Sequence, residues 1–440
     1  MADKHDNGKV LLLTVGTGDD TKREETLYRP LRLSISKGKF TSIILLPSSV
    51  TEAWAEQVQN DLTPHNIQVY PLHPGDEDNA DRCFDHFDKV LAELLADGWM
   101  CNQIEVDPTR GTKMMSASLV LAAVHRDVSA IRYITGKRDE RGMVQSGSEE
   151  IFEFRTTRIS AARRLEDAFQ LFQHSNFAAV LDMIPDPDSG WAALNWPAEF
   201  HPRLRAIRSL AHFYGAWDRL NYSEAQKAGT ADLSSLEGKW QRFQPSLPVL
   251  DWVKQLAKGL PETDEKERRK KQKAPYLLRL TVDLWANGLR RIRAGQWEDA
   301  TVRAYRILEM VGQMRLFEKG HDSAKLDLQD SEIMKFPEKS ELRSTNPDGT
   351  RMAGREQVVK LLRFFNDPFH KALVRFASSS QINTNMRNNS VLIHGFSTKI
   401  DVSDNLEKHY QNIKEELLKP CLEDSRLEWL ELAQKPSFER

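Results

Sequence analysis

Apolar residues occur in two rhythms along the chain, and the rhythm changes near residue 156. Before that point, short unbroken apolar runs alternate with stretches of helical spacing. The runs are Lys9–Val15, Ser42–Leu46, Ile67–Leu72, Gln103–Val106 and Ala130–Thr135. They are too short for helices and predict strands buried on both faces. Helical spacing appears near Glu24–Ser36, Thr51–Leu62, Asn79–Ala96 and Thr112–Arg126. Strands alternating with helices predict a parallel sheet covered on both sides. Glu150–Arg155 alternates polar and apolar after the turn-rich stretch 136–147. It predicts an added antiparallel edge strand.

From Thr157 onward the strand runs stop. Helical spacing recurs at Arg158–Gln173, Phe177–Met183, Arg203–Leu220, Leu247–Leu260, Tyr276–Ala294 and Glu298–Phe317. It continues at Glu356–Phe365, Phe369–Ala377, Ile382–Gly395, Asn405–Leu417 and Ser425–Gln434, while Ser340–Arg355 reads as a long polar loop. The expected organisation is an α/β domain over 1–155, a helical linker region over 156–275 and an all-α domain over 276–440. Glu265–Lys273 is a charge run, read as a solvated helix end or linker in preference to an RNA contact. Arg303 and Arg306 share a helix face; they pair with carboxylates or touch RNA, and pairing is favoured.

Composition narrows the class. The chain has 440 residues, a formal net charge of −2 and 29% charged residues. That balance argues against a generic nucleic-acid coat and leaves room for local basic patches. Cys83, Cys101 and Cys421 have no metal-type spacing and suggest a reducing compartment. The start, MADKHDNGK, has no apolar signal core, and no apolar stretch approaches about 18 residues. A soluble, cytoplasmic protein with no membrane partner is expected.

Two loops at the carboxyl ends of predicted strands suit an anion. In Gly16-Thr17-Gly18 the glycines let backbone N–H groups approach a ligand, and Thr17 adds a hydroxyl. The reading as an ordinary tight turn is equally open there. Asp107-Pro108-Thr109-Arg110-Gly111-Thr112-Lys113-Met114 leaves a strand and opens a helix. A helix N-terminus offers unpaired N–H groups and partial positive charge. Lys113 adds a full charge, and Gly111 permits close approach of a phosphate.

Near the other end lies Arg387-Asn388-Asn389-Ser390-Val391-Leu392-Ile393-His394-Gly395-Phe396. Seven residues of helix turn through roughly 700°, so Arg387 and His394 would share a face. Arg suits phosphate, and His moves protons near neutral pH. The pair suits attack of a ribose 2′-OH on its own phosphodiester without a metal. Asn388 can bond phosphate or orient the His. The spacing alone is weak, since Arg205–His212 and Arg363–His370 repeat it. Pro368 interrupts the latter, and Arg205–His212 reads as a helix with a structural His.

The Arg387–Phe396 stretch resembles the R-x4–6-H motif of HEPN ribonuclease domains. It is most similar to the C-terminal domain of CARF–HEPN ribonucleases from type III CRISPR systems, the Csm-six type. Ala300-Thr301-Val302-Arg303-Ala304-Tyr305-Arg306 resembles the A-x-R-x-Y-R helix of that group. Residues 107–114 resemble the D-x-T-G-G-T-K-x-M sequence of CARF domains, with Arg110 where the family has Gly. The CARF resemblance covers residues 9 to about 155. It implies a Rossmann-like CARF domain, a helical linker and an α-helical HEPN domain, paired as a homodimer.

The implied activator is a cyclic oligoadenylate, with tetra-adenylate favoured and hexa-adenylate admitted. Gly16, Thr17, Gly18, Asp107, Thr109, Arg110, Gly111, Thr112 and Lys113 would bind it. The implied reaction is metal-independent endonucleolytic cleavage of single-stranded RNA in antiviral defence, with no cofactor. Arg387 would stabilise the phosphorane and His394 would act as general acid and base, with Asn388 beside them. Products would carry 2′,3′-cyclic phosphate and 5′-OH ends, and the CARF domain would be a candidate for slow cleavage of its own activator. The alternative is a nucleotide-responsive adaptor whose HEPN fold only dimerises.

Overall fold

The computed structural model describes residues 8–17, 23–62, 66–128, 130–138, 140, 144–145, 147–187, 196–342, 344–378, 405–422 and 426–435. The chain forms two compact units, Met1–Gln170 with Ala179–Arg205 and Leu171–Ala178 with Ala206–Arg440.

The first unit begins with β1 (Val10–Val15), α1 (Arg29–Ser36), β2 (Ser42–Pro47), α2 (Glu52–Asp61) and β3 (Asn66–Val69). It continues with α3 (Ala80–Ala96), β4 (Ile104–Asp107), α4 (Lys113–His125), β5 (Ala130–Thr135) and β6 (Glu150–Arg155). The six strands form one sheet in the order β3-β2-β1-β4-β5-β6. Every pairing is parallel except β5 with β6, which is antiparallel. The unbroken apolar runs have their cause here. Val10, Leu12, Ile44 and Leu46 pack with Phe87, Leu91 and Leu119 of α3 and α4. Leu11, Leu13, Ile43 and Leu45 pack on the other face with Leu31 and Ile35 of α1 and Val58 of α2. Each such side chain, buried completely, contributes roughly 1.5–3 kcal/mol of transfer free energy.

Sheet order and chain order part company between β1 and β4. β2 and β3 extend to one side of β1, and the chain then returns to lay β4 on the other side. A crevice opens beyond the carboxyl ends of strands at such a point. Leu13 of β1 is paired with Asp107 of β4, so the loops after both strands leave the sheet side by side. The buried charges inside the sheet are paired. Glu105 is buried and meets Lys9 at 2.6 Å and Arg132 at 3.7 Å. Arg132 also donates to the Ser34 carbonyl at 2.8 Å.

The α4-bearing face is not covered to its edge. Tyr133 and Phe152 are direct cross-strand partners and are 43% and 61% exposed. Met114 and Leu121 of α4 are exposed as well.

The end of α5 (Thr157–Gln173) and the start of α6 (Phe177–Met183) bring Phe172 and Phe177 into the second unit. α7 (His201–Asp218), α8 (Tyr222–Ala228), α9 (Leu247–Ala257), α10 (Ala274–Arg293) and α11 (Trp297–Glu318) follow. Phe172 makes ring contacts with Phe177, Tyr214, Trp240 and Phe243, an aromatic core within the tract expected to be a linker. Asp283 of α10 is buried there. It accepts from Trp217 Nε1 at 2.8 Å, Tyr222 OH at 2.8 Å and Trp252 Nε1 at 3.0 Å. Burial outweighs these donors and raises its carboxyl above the usual range.

The charge run is the start of a long helical segment. Lys266–Arg268 and Arg269–Lys273 lead straight into α10, ahead of the expected start at Tyr276. Three of its cations pair closely: Arg268 with Glu265 at 3.1 Å, Lys270 with Glu267 at 2.9 Å, and buried Lys273 with Asp322 at 3.0 Å. Arg303 is paired with Asp299 at 3.2 Å and Arg306 with Glu309 at 2.8 Å, the favoured alternative for both.

The polar stretch 340–355 contains a small hairpin, β7 (Ser344–Thr345) with β8 (Arg351–Met352). Asn346-Pro347-Asp348-Gly349 makes its turn, with Gly349 at φ 82°. Two-residue strands leave no alternation to read, which is why the stretch reads as loop. α12 (Arg355–Phe364), α13 (Phe369–Ser378) and α14 (Asn405–Ile413) complete the unit's main helices.

One glycine decides the packing of α14. A Cβ at Gly288 would stand 2.0 Å from the Tyr410 hydroxyl and 2.4 Å from its ring. Tyr410 is fully buried, donates to the Ala300 carbonyl at 2.6 Å and accepts from Trp285 Nε1 through its own carbonyl at 3.0 Å. Gly288→Ala gains about 1 kcal/mol in helix propensity. It loses about 1–3 kcal/mol to overpacking and about 1 kcal/mol with the displaced hydroxyl. A net loss of about 2 kcal/mol is expected, read by chemical denaturation. A rise in stability would show that Tyr410 moves aside freely.

Candidate functional site: a loop pair at the switch point

The two predicted loops meet. A Cβ on Gly16 would lie 2.2 Å from the Arg110 carbonyl oxygen. One on Gly111 would lie 2.8 Å from Met115 Cβ and 3.0 Å from Thr14 Cβ. The side-chain space at both glycines is therefore filled by protein. Their absent side chains let the loops pack backbone to backbone, whatever their N–H groups do toward a ligand. Gly18 lies outside the described residues.

Several predicted contact residues spend their polar groups on the loop itself. Asp107 is buried and accepts from the Ser34 hydroxyl, the Thr109 hydroxyl and the Thr109 N–H, the last at 2.9 Å. The Thr109 hydroxyl in turn accepts from the Ile134 N–H at 3.1 Å, which ties the loop to β5. Thr112 caps α4 by accepting from the Met115 N–H at 3.2 Å, and its own proton goes to the Glu77 carbonyl at 2.6 Å. The Glu77 carboxylate accepts from the Gly75 N–H at 3.0 Å. Ser116 donates to the Pro108 carbonyl at 2.6 Å.

Three groups remain for a ligand. Lys113 and Thr17 are exposed, and Lys113 has no carboxylate at ion-pair distance among the described residues. Arg110 is half-buried, and its Nε has no hydrogen-bond partner among the described residues. Burial holds the guanidinium below its usual range, opposed by Asp107, Glu149 and Tyr133. A half-desolvated Arg beside the N-terminus of α4 and Lys113 is a cationic, donor-rich cradle. It suits phosphate, since charge-assisted hydrogen bonds are roughly twice as strong as neutral ones. In the sequence Arg110 stands out only as a departure from a family pattern. Its desolvation became visible only in three dimensions.

Arg387, Asn388 and His394 lie outside the described residues, in the connection between α13 and α14. So does the expected catalytic helix Ile382–Gly395. Three other groups of this unit are poor acid–base candidates. His409 is buried and pushed down to about 4, and burial also lowers His321. Cys421 is raised to about 12 by burial. His321, Asp330 and Glu332 stand within reach of a common cation. The Lys266 ammonium already meets both carboxylates, at 2.5 and 3.1 Å, and supplies the positive charge there. No helix among the described residues is long and apolar enough to cross a membrane.

Residues 266–421 match the family model described as the Csm6 HEPN domain. The match begins at Lys266, where the helical segment containing α10 begins. One solved structure with the same fold is Enterococcus italicus Csm6 bound to cyclic hexa-2′-fluoro-hexa-dAMP. The likeness covers 98% of this chain and 99% of that one, with a TM-score of 0.57 at 13% identity. No curated protein matches the chain.

Proposed function

We propose that this chain, whose residues 266–421 form a Csm6-type HEPN domain, is a cyclic-oligoadenylate-activated endoribonuclease of type III CRISPR defence. The observation that carries the reading is the intact Arg387/Asn388/His394 set inside that domain span. A HEPN fold used only for dimerisation has no need of all three. The guanidinium of Arg387 neutralises charge building on the non-bridging phosphate oxygens. His394 takes the 2′-OH proton and returns one to the leaving 5′-oxygen. The bond from O2′ to phosphorus forms as the bond to O5′ breaks, leaving a 2′,3′-cyclic phosphate and a 5′-OH. A single-stranded RNA leaves its 2′-OH free to reach this in-line geometry.

The α/β unit is the sensor. Arg110, Lys113, Thr17 and the N-terminus of α4 hold activator phosphates, with Gly16, Gly18, Asp107, Thr109, Gly111 and Thr112 shaping the loops. A cyclic, symmetric polyanion suits a two-fold interface, where one ligand meets the same loops twice. The uncovered apolar residues Met114, Leu121, Tyr133 and Phe152 support pairing of two such units. The Enterococcus italicus protein is bound to a cyclic hexa-adenylate analogue, so the hexamer stands beside the tetramer as activator. The organisation proposed is sensor, helical connection and nuclease in a cytoplasmic homodimer.

The test is cleavage of a fluorogenic single-stranded RNA with a panel of cyclic oligoadenylates. Activation by one ring size supports the reading, and silence with all of them favours an adaptor. Activity should persist in excess EDTA, because no Cys/His or carboxylate cluster flanks Arg387 in the sequence. Loss in EDTA with restoration by Mg²⁺ or Mn²⁺ would show a metal-dependent mechanism.

A further inference from the structure

The second Arg–His pair of the sequence, Arg363 and His370, is brought together by the fold. Both line a groove of about 740 Å³ between α12 and α13. Glu356, Val359, Lys360 and Arg363 recur at helical spacing along one wall, and His370, Lys371 and Val374 stand on the other. Arg355 also lines the groove and lies over the Tyr305 ring, 4.7 Å from its centroid.

The charges are unequally committed. Lys360 is spent on Glu338 and Glu341, each at 2.7 Å. Arg363 and Lys371 are exposed and have no ion-pair partner among the described residues. His370 is fixed by its backbone. Its Nδ1 lies 2.6 Å from the Asp367 carbonyl oxygen, so Nδ1 carries the proton and Nε2 is left for a ligand. Asp367 is wholly buried, accepts from Arg315 at 2.8 Å and from the Phe369 N–H at 3.1 Å, and so holds the turn that presents His370. Pro368, which excludes one continuous helix through the pair, creates that turn. α13 ends at Ser378, nine residues before Arg387.

We propose that this groove binds the phosphate backbone of single-stranded RNA. Arg363 and Lys371 hold phosphates, and His370 accepts from a ribose 2′-OH through Nε2. The apolar side chains Val359 and Val374 line the groove without reading base identity. The inference rests on the ribonuclease reading for its purpose, while the binding surface is testable by itself.

The experiment uses the full chain and a non-cleavable 2′-O-methyl RNA followed by fluorescence anisotropy across a salt series. Arg363→Glu/Lys371→Glu should weaken binding at least tenfold. It should also flatten the log–log salt dependence by about 1.4, because each phosphate contact on a single strand contributes about 0.7. In cleavage assays with activator, KM should rise with kcat within about twofold. Arg363→Gln/Lys371→Gln removes the charges without reversing them, reads the same quantities, and guards against misfolding of the first variant. Wild-type anisotropy curves for both folded variants would overturn the proposal, as would a fall in kcat at unchanged KM. If wild type cleaves nothing, the ribonuclease reading fails and the anisotropy arm still decides the groove.

Discussion

His394→Ala should abolish activator-dependent RNA cleavage while leaving the fold and activator binding intact. A positioned general acid–base group contributes about 10²–10⁴-fold, and here one imidazole would serve both proton transfers. Two other histidines of the unit are unsuited to the role. His409 is held near 4 by burial. His321 is buried, stacked on Phe365 and bonded to Glu332 at 3.1 Å. His370 Nε2 has no hydrogen-bond partner among the described residues, so His370 is the informative control. His370→Ala should raise KM and leave kcat, whereas His394→Ala should remove kcat. Single-turnover cleavage at saturating activator separates the two. Wild-type-like rates for His394→Ala would remove the catalytic assignment, and an exchange of the two phenotypes would transfer it to His370.

Lys113→Glu should shift the activation curve by roughly a thousandfold in activator without touching the nuclease residues. Lys113 is exposed, so its attraction for one phosphate is about 1 kcal/mol after screening. Reversing the charge roughly doubles the loss, and a two-fold ligand meets the change twice, for about 4 kcal/mol. Basal cleavage at high enzyme concentration should survive, which separates a sensor defect from a catalytic one. Raised salt should shrink the shift, because an exposed contact is screened. Titrating activator against rate for both proteins checks this, and superimposed curves would place Lys113 outside the sensor pocket. Arg110 would then be the remaining cation of the loop pair.

The α/β layering was legible because a buried parallel strand has one signature, an apolar run too short for a helix. Leu11-Leu12-Leu13 and Ile43-Ile44-Leu45-Leu46 have it because both sheet faces are covered. The edge strand was legible for the opposite reason, since Glu150–Arg155 mixes polar with apolar residues and none of them is fully buried. The hairpin at Ser344–Thr345 and Arg351–Met352 escaped because register over two residues is set by its turn. The charge run before Tyr276 was read as a helix end or linker, and its continuity with α10 was not legible because its turns are stabilised by ion pairs and leave no apolar period.

Local sequence determined the strands, the helices, the cap at Thr112 and the chemistry available at Lys113, Arg387 and His394. It determined the family resemblance too, because short motifs keep their residues while the rest of the chain diverges. Tertiary structure decided what those residues are free to do. Asp107 and Thr109 look like ligand groups in one dimension, yet their oxygens are consumed by Ser34 and the Ile134 N–H, from distant parts of the chain. Gly16 looks like a phosphate glycine, yet the Arg110 carbonyl occupies the space beside it. Arg363 and His370 look separated by a proline, yet the turn that proline makes closes them around one groove. Hydrogen-bond satisfaction, excluded volume and desolvation depend on neighbours that approach through space, and sequence spacing carries them only within a few residues.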